Sequence, residues 1–182
     1  MFKVAMIVGS LRKESFNRKL ALALDKLNHS QLQFLFLKIE DVPLYNQDLD
    51  EHLPASVARM KKEIAEANAV LIVTPEYNRS IPGVLKNIID WGTRPYGKNV
   101  WAGKPCGIVG ISPSNVGTAV SQSHLRSVMT MLDVRLMGLP EVYLVYKDGF
   151  FDNEGNIAVE NTKKFLQDFL NCFSKWVEKF CK

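Results

Sequence analysis

Five short, almost unbroken apolar runs punctuate the chain and constrain its fold more than any other feature. They are Val4-Ala5-Met6-Ile7-Val8, Phe34-Leu35-Phe36-Leu37, Val70-Leu71-Ile72-Val73, Gly107-Ile108-Val109-Gly110-Ile111 and Val142-Tyr143-Leu144-Val145. None alternates cleanly between apolar and polar residues. Continuous runs of this kind suit strands buried on both faces, as in a parallel sheet. Between the runs, apolar residues recur at helical spacing: Phe16, Leu20, Leu24 and Leu27; Val57, Met60, Ile64 and Ala67; Val84, Leu85, Ile88 and Ile89; Leu125, Val128, Met129 and Leu132. A last aromatic stripe joins Phe165, Phe169, Phe173, Trp176 and Phe180, and it reads as a core face. Strands alternating with helices predict an α/β fold with right-handed crossovers. Asp152 to Asn156 reads as a surface turn before the final helix.

Composition excludes several classes. Of the 182 residues 47% are hydrophobic and 23% charged, the balance of a globular chain rather than a disordered one. The length and the lack of a Pro/Gly/Ser linker predict one domain over residues 1–182. No run approaches the ~20 apolar residues of a membrane span, and no signal-peptide pattern is present, so the expectation is a cytoplasmic protein without a membrane partner. The net charge of +4 is spread without a basic stripe, which argues against nucleic acid as a partner and for a mild attraction to small anions. Three widely spaced cysteines and three histidines predict neither a disulfide framework nor a metal site.

In an open parallel sheet, ligands bind beyond the carboxyl ends of the strands. Three loops there carry polar residues. After the first run comes Gly9-Ser-Leu-Arg-Lys-Glu-Ser-Phe-Asn-Arg18, a loop with hydroxyls, an amide and a guanidinium just before a helix. Free N–H groups at a helix start favour an anion, so the loop can hold a phosphate; Ser15 can also simply cap the helix. It is neither a Walker A loop nor a GxGxxG fingerprint, and it has no cysteine nucleophile. After the third run comes Thr74-Pro-Glu-Tyr-Asn-Arg-Ser-Ile-Pro-Gly83, where two prolines stiffen the backbone around Tyr77 and Asn78. That suits a planar heteroaromatic ligand, or else a stiff turn with Tyr77 packed inward. After the fourth run, Ser112-Pro-Ser-Asn-Val-Gly-Thr118 permits close backbone approach to a ligand or forms a plain turn. A phosphorylated planar cofactor would use the first two loops together.

Two of these motifs carry a resemblance. Gly9-Ser-Leu-Arg-Lys-x-Ser-x-Asn17 followed by Pro75-Glu-Tyr-Asn-Arg-Ser-Ile-Pro-Gly-Val-Leu-Lys-Asn-x-Ile-Asp-Trp91 resembles the NADPH-dependent FMN reductase family, the flavodoxin-like group that includes quinone, azo-dye and chromate reductases. Pro43 to Asp50 and Ala102 to Pro105 extend the similarity over about residues 3–145. The resemblance implies a flavodoxin-like three-layer sandwich: a five-stranded parallel sheet of order 2-1-3-4-5 with helices on both faces. It implies FMN as cofactor, its phosphate held by Ser10, Arg12, Ser15, Phe16 and Asn17, its ring and ribityl chain lined by Pro75, Glu76, Tyr77 and Asn78, and its far side closed by Ser112. The loop at 112–118 is less glycine-rich here than in many family members.

It further implies hydride transfer from NADPH through FMN to a small-molecule electron acceptor, in a ping-pong cycle with no catalytic side chain. Arg12, Lys13, Arg79 and Arg94 are the cations near these motifs, and Arg79 and Arg94 are the candidates for the NADPH 2′-phosphate. Family members are dimers or tetramers, so a homodimer or homotetramer is expected, with Trp91 and Tyr96 either in that interface or, for Trp91, packed within the chain. A flavodoxin-type electron carrier without its own NADPH oxidase activity is the alternative.

Overall fold

The computed structural model describes residues 1–27 and 30–181. The strands are β1 (Phe2–Val8), β2 (Leu32–Phe36), β3 (Ala69–Val73), β4 (Pro105–Ser112), β5 (Arg135–Leu136) and β6 (Val142–Val145). The helices are α1 (Phe16–Lys26), α2 (Ala55–Glu66), α3 (Gly83–Gly92), α4 (Ala119–Met131) and α5 (Glu160–Phe180). All strand pairs are parallel, in the order β2-β1-β3-β4-β5, with β6 also paired to β4.

The strand count departs from the expected five. Pro105 and Cys106 of β4 pair with β5, and Val109 to Ser112 pair with β6. The free edge of β4 is thus covered twice, by two short pieces of one chain segment. The order 2-1-3-4-5 holds, with the fifth place shared. Two residues, Arg135 and Leu136, are too few to show a periodicity, which is why β5 left no signal in the sequence.

Side chains alternate across the sheet and feed two cores. Val4, Met6, Leu71, Val73, Val109 and Ile111 pack under α1 and α5, where Leu20, Leu24, Phe169 and Phe173 are fully buried. Ala5, Ile7, Val70, Ile72, Cys106 and Ile108 pack under α2, α3 and α4. β3 and β4 are buried along their whole length, as their continuous apolar runs predict. β2 is not: it is an edge strand, and Leu35 and Phe36 are each 41% exposed. The terminal members of the α5 stripe, Phe165 and Phe180, also lie at the surface, whereas Trp176 packs against the first core. Asp152 forms the expected turn, accepting the backbone N–H groups of Glu154 and Asn156.

Trp91 packs within the chain. It is fully buried, donates its indole N–H to the Pro43 carbonyl at 2.8 Å and meets the Tyr45 ring edge-on. Tyr96, by contrast, is 93% exposed. Among the described residues, no helix is long and apolar enough to cross a membrane.

Candidate functional site

The chain leaves β1 toward β2 on one side and β3 on the other, so the switch point lies at the carboxyl end of β1. The loop there ends in the N-cap of α1: Ser15 is buried, and its Oγ accepts the Arg18 N–H at 3.2 Å. Capping still leaves the N–H groups of Phe16 and Asn17 without intrahelical partners, because every helix start has such orphans. Ser15 therefore builds the helix end at which an anion is favoured. Asn17 is turned inward. Its Nδ2 donates to the Ile111 carbonyl at 2.8 Å and its Oδ1 accepts the Ile111 N–H at 3.0 Å, so the side chain ties α1 to β4. Phe16 stacks on Tyr146, with centroids 3.8 Å apart, and Arg12 lies over the Phe16 ring at 5.3 Å. Glu14, in the same loop, is neutralised by Lys19 at 2.8 Å, whose hydrogen bond holds its carboxyl below the ordinary value.

The second loop forms a tight hairpin. Tyr77 and Ser80 exchange backbone hydrogen bonds at 3.2 and 3.0 Å across Asn78 (φ 51°) and Arg79 (φ 61°). Two left-handed residues in succession make a type I′ turn, which Asn tolerates and Arg adopts at a cost of about 1–2 kcal/mol. The turn presents Tyr77, half exposed, with its hydroxyl 3.5 Å from that of Ser10. The Glu76 carboxylate is taken up by α4. Its Oε2 accepts the backbone N–H groups of Val120 and Ser121, each at 3.0 Å, so a carboxylate sits on the positive end of α4. Its Oε1 is 3.3 Å from Arg79. Glu76 thus locks the second loop to the helix that follows the third.

The third loop is drawn close to the second by Gly110. A Cβ there would lie 2.3 Å from both Thr118 Oγ1 and the Thr74 carbonyl. Only glycine lets β4 pass between them. Ser112, buried at the end of β4, accepts the Ser114 N–H at 3.1 Å and starts the turn.

These loops enclose a cavity of about 290 Å³. Ser10, Arg12, Ser15, Phe16 and Asn17 line one side; Pro75, Glu76, Tyr77, Ser112 and Pro113 line the other. Every cofactor-site residue expected from the sequence therefore borders one opening, except Asn78, which stays at the hairpin tip. The cation candidates are not brought together. Arg79 stands at the hairpin tip beside Glu76, whereas Arg94 follows the far end of α3 and lies over the Tyr45 ring at 5.6 Å. Three participants escaped sequence reasoning: Tyr146, Val120 and Ser121. Tyr146 follows the last apolar run and could have been suspected from that position. The Val120 and Ser121 amides carry no sequence signal.

Hydroxyls, a guanidinium and a helix N-terminus at one end of a cavity, and proline and tyrosine faces at the other, fit a ligand with a phosphate on one end and a flat ring on the other. The model for NADPH-dependent FMN reductase matches residues 2–148. The chain belongs to that family. FMN is accordingly the cofactor and NAD(P)H the donor of this oxidoreductase family, and the cavity residues fit such a group. A 2-hydroxy-1,4-benzoquinone reductase of Burkholderia sp. is 50% identical over 175 residues, 96% of each chain. A quinone reductase of Pseudomonas putida is 44% identical over 179 residues, 98% of this chain and 96% of that one. Among solved structures, the flavoenzyme NAD(P)H:(acceptor) oxidoreductase FerB of Paracoccus denitrificans superposes with a TM-score of 0.95 at 45% identity, covering 99% of both chains. A flavodoxin mutant from Pseudomonas aeruginosa shares the fold at a TM-score of 0.60 and 19% identity.

Proposed function

We propose that the chain is an NAD(P)H:quinone oxidoreductase that works by a ping-pong cycle, with NADPH and the acceptor visiting the strand-end cavity in turn. The carrying observation is the convergence of the first and second loops on one opening, where the Ser10 and Tyr77 hydroxyls meet at 3.5 Å. FMN, when bound, supplies hydride acceptance and delivery. The chain's own residues bind and orient. Ser10, Arg12 and the α1 N-terminus built by Ser15, with Phe16 and Asn17, hold the phosphate end. Pro75, Tyr77 and Asn78 support the ring, Glu76 fixes their loop, and Ser112 closes the far side. No side chain is asked to act as acid, base or nucleophile, and Glu76 is already committed to the α4 amides.

Quinones are the first acceptors to try, because relatives at 50% and 44% identity are named as reductases of that class. Free flavin, azo compounds and metal oxyanions are further acceptors of the same chemistry. Arg79 at the hairpin tip and Arg94 are candidates for the donor's phosphates, and the exposed Tyr96 suits contact with a second copy in a dimer or tetramer.

The decisive experiment is a visible spectrum of the protein after loading with FMN and desalting, followed by anaerobic NADPH and then a benzoquinone. Bleaching by NADPH and recovery of the colour on adding quinone is the expected result. Retained flavin that NADPH leaves oxidised would replace this reading with the flavodoxin-type carrier.

A further inference from the structure

A second and larger concavity, of about 960 Å³, lies on the outer side of the first strand-end loop. The loop, α1 and the segment after β2 form its walls. Three large apolar side chains stand open on it: Leu11, Leu22 and Phe36 are 56%, 44% and 41% exposed. Four cations stand among them: Arg12, Lys13, Arg18 and Lys38. Lys38 is held by Asp41 at 3.2 Å, but among the described residues Arg12, Lys13 and Arg18 form no ion pair. The carboxylate on the wall, Glu40, accepts the Ile39 N–H at 3.0 Å. Ser10 and Arg12 line this groove and the cofactor cavity alike, so the two adjoin at that loop.

An apolar floor with unpaired cations at its rim is complementary to a flat base carrying phosphates. The other cation candidates are less available, since Arg79 is beside Glu76 and Arg94, beyond the C-terminus of α3, lies over the Tyr45 ring and does not line the cavity. We propose that this groove receives the adenosine end of NADPH, with Lys13 and Arg18 facing its 2′-phosphate and Leu11, Leu22 and Phe36 flanking the adenine. The assignment rests on the reductase reading above and deepens it. It also explains why the β2 edge leaves Phe36 uncovered: the dinucleotide covers it.

Calorimetric titration of the FMN-loaded protein with adenosine 2′,5′-bisphosphate, at low salt, tests the groove without any turnover. The K13A/R18A variant changes only exposed side chains and should unfold at the wild-type midpoint. Its affinity should fall tenfold or more, whereas K62A/K175A, which removes the same charge elsewhere on the surface, should bind as wild type. In turnover, K13A/R18A should raise the KM for NADPH about tenfold at unchanged kcat and leave the KM for NADH nearly unmoved. Absence of bisphosphate binding, as when a second copy of the chain fills the groove, overturns the proposal. So does equal binding by wild type and K13A/R18A. Failure of wild-type FMN-loaded protein to oxidise NADPH would overturn the reductase reading instead, whatever the titration shows.

Discussion

Asn17 and Ile111, 94 positions apart, exchange two hydrogen bonds, and through them the first turn of α1 is fastened to the last turnless stretch of β4. Both residues are buried, at 2% and 1% exposure. The helix start that faces the cavity is therefore positioned by a bond to the strand that bears the third loop. Replacing Asn17 by Ala leaves a buried N–H and a buried carbonyl unpaired and should cost about 2–3 kcal/mol. Asn17→Asp keeps the acceptor, loses the donor and sets a carboxylate against the Ile111 carbonyl, so it should be no better. Urea unfolding of the apo-protein checks both. A loss under ~0.5 kcal/mol for Asn17→Ala would sink the idea that this pair holds α1 in place.

Gly110 should tolerate no side chain. The Thr74 carbonyl, 2.3 Å from an added Cβ, belongs to the backbone and cannot swing away. Gly110→Ala is expected to cost up to about 3 kcal/mol by overpacking and to push the second and third loops apart, so that FMN is lost on desalting. Adding Thr118→Ala removes the clash with Oγ1 but not that with Thr74, so the double variant should recover only part of the stability. Full recovery would mean that the hydroxyl alone sets the spacing.

Lys61 carries its ammonium into the second core. It is 8% exposed, and its Nζ donates to the carbonyls of Trp91, Gly92 and Lys98 at 3.5, 3.1 and 2.8 Å, closing the end of α3 onto the turn that holds Arg94. Burial lowers its pKa to about 8, with Asp50 opposing that shift. A lysine with a lowered pKa in the folded state binds fewer protons folded than unfolded between that value and its ordinary one near 10.5. The folded state therefore gains on the unfolded as pH rises through that window, by at most about 1.4 kcal/mol per pH unit, while below pH 8 the full cost of burying the charge is present. Relative to Lys61→Met, wild-type stability should rise from pH 8 to pH 10.5 and stay level below. Parallel pH profiles of the two proteins in urea unfolding would contradict this.

The strand-end site was legible because its parts are local. A Ser three residues ahead of Arg18, a glycine after an apolar run, and Pro75 and Pro82 framing Tyr77 each announce a cap or a turn from the chain alone. What could not be read was where each polar group points. Asn17 and Glu76 sit inside the expected motifs, yet the one reaches to Ile111 and the other to the amides of α4, partners 94 and 44 or 45 residues distant. Nothing in a linear motif distinguishes a side chain that faces a ligand from one that fastens the wall behind it.

The same division runs through the whole molecule. Apolar periodicity is a property of neighbours in the chain, so the α/β alternation, the five helices and the buried runs of β3 and β4 follow from the sequence itself. Position within the sheet depends on which strands pair. That decided that β2 is an edge with Phe36 uncovered, that two short pieces share the edge of β4, and that Trp91 closes on Pro43 and Tyr45 inside the chain. Burial of a given residue is set by contacts between segments far apart in the chain, and only the folded structure brings those segments together.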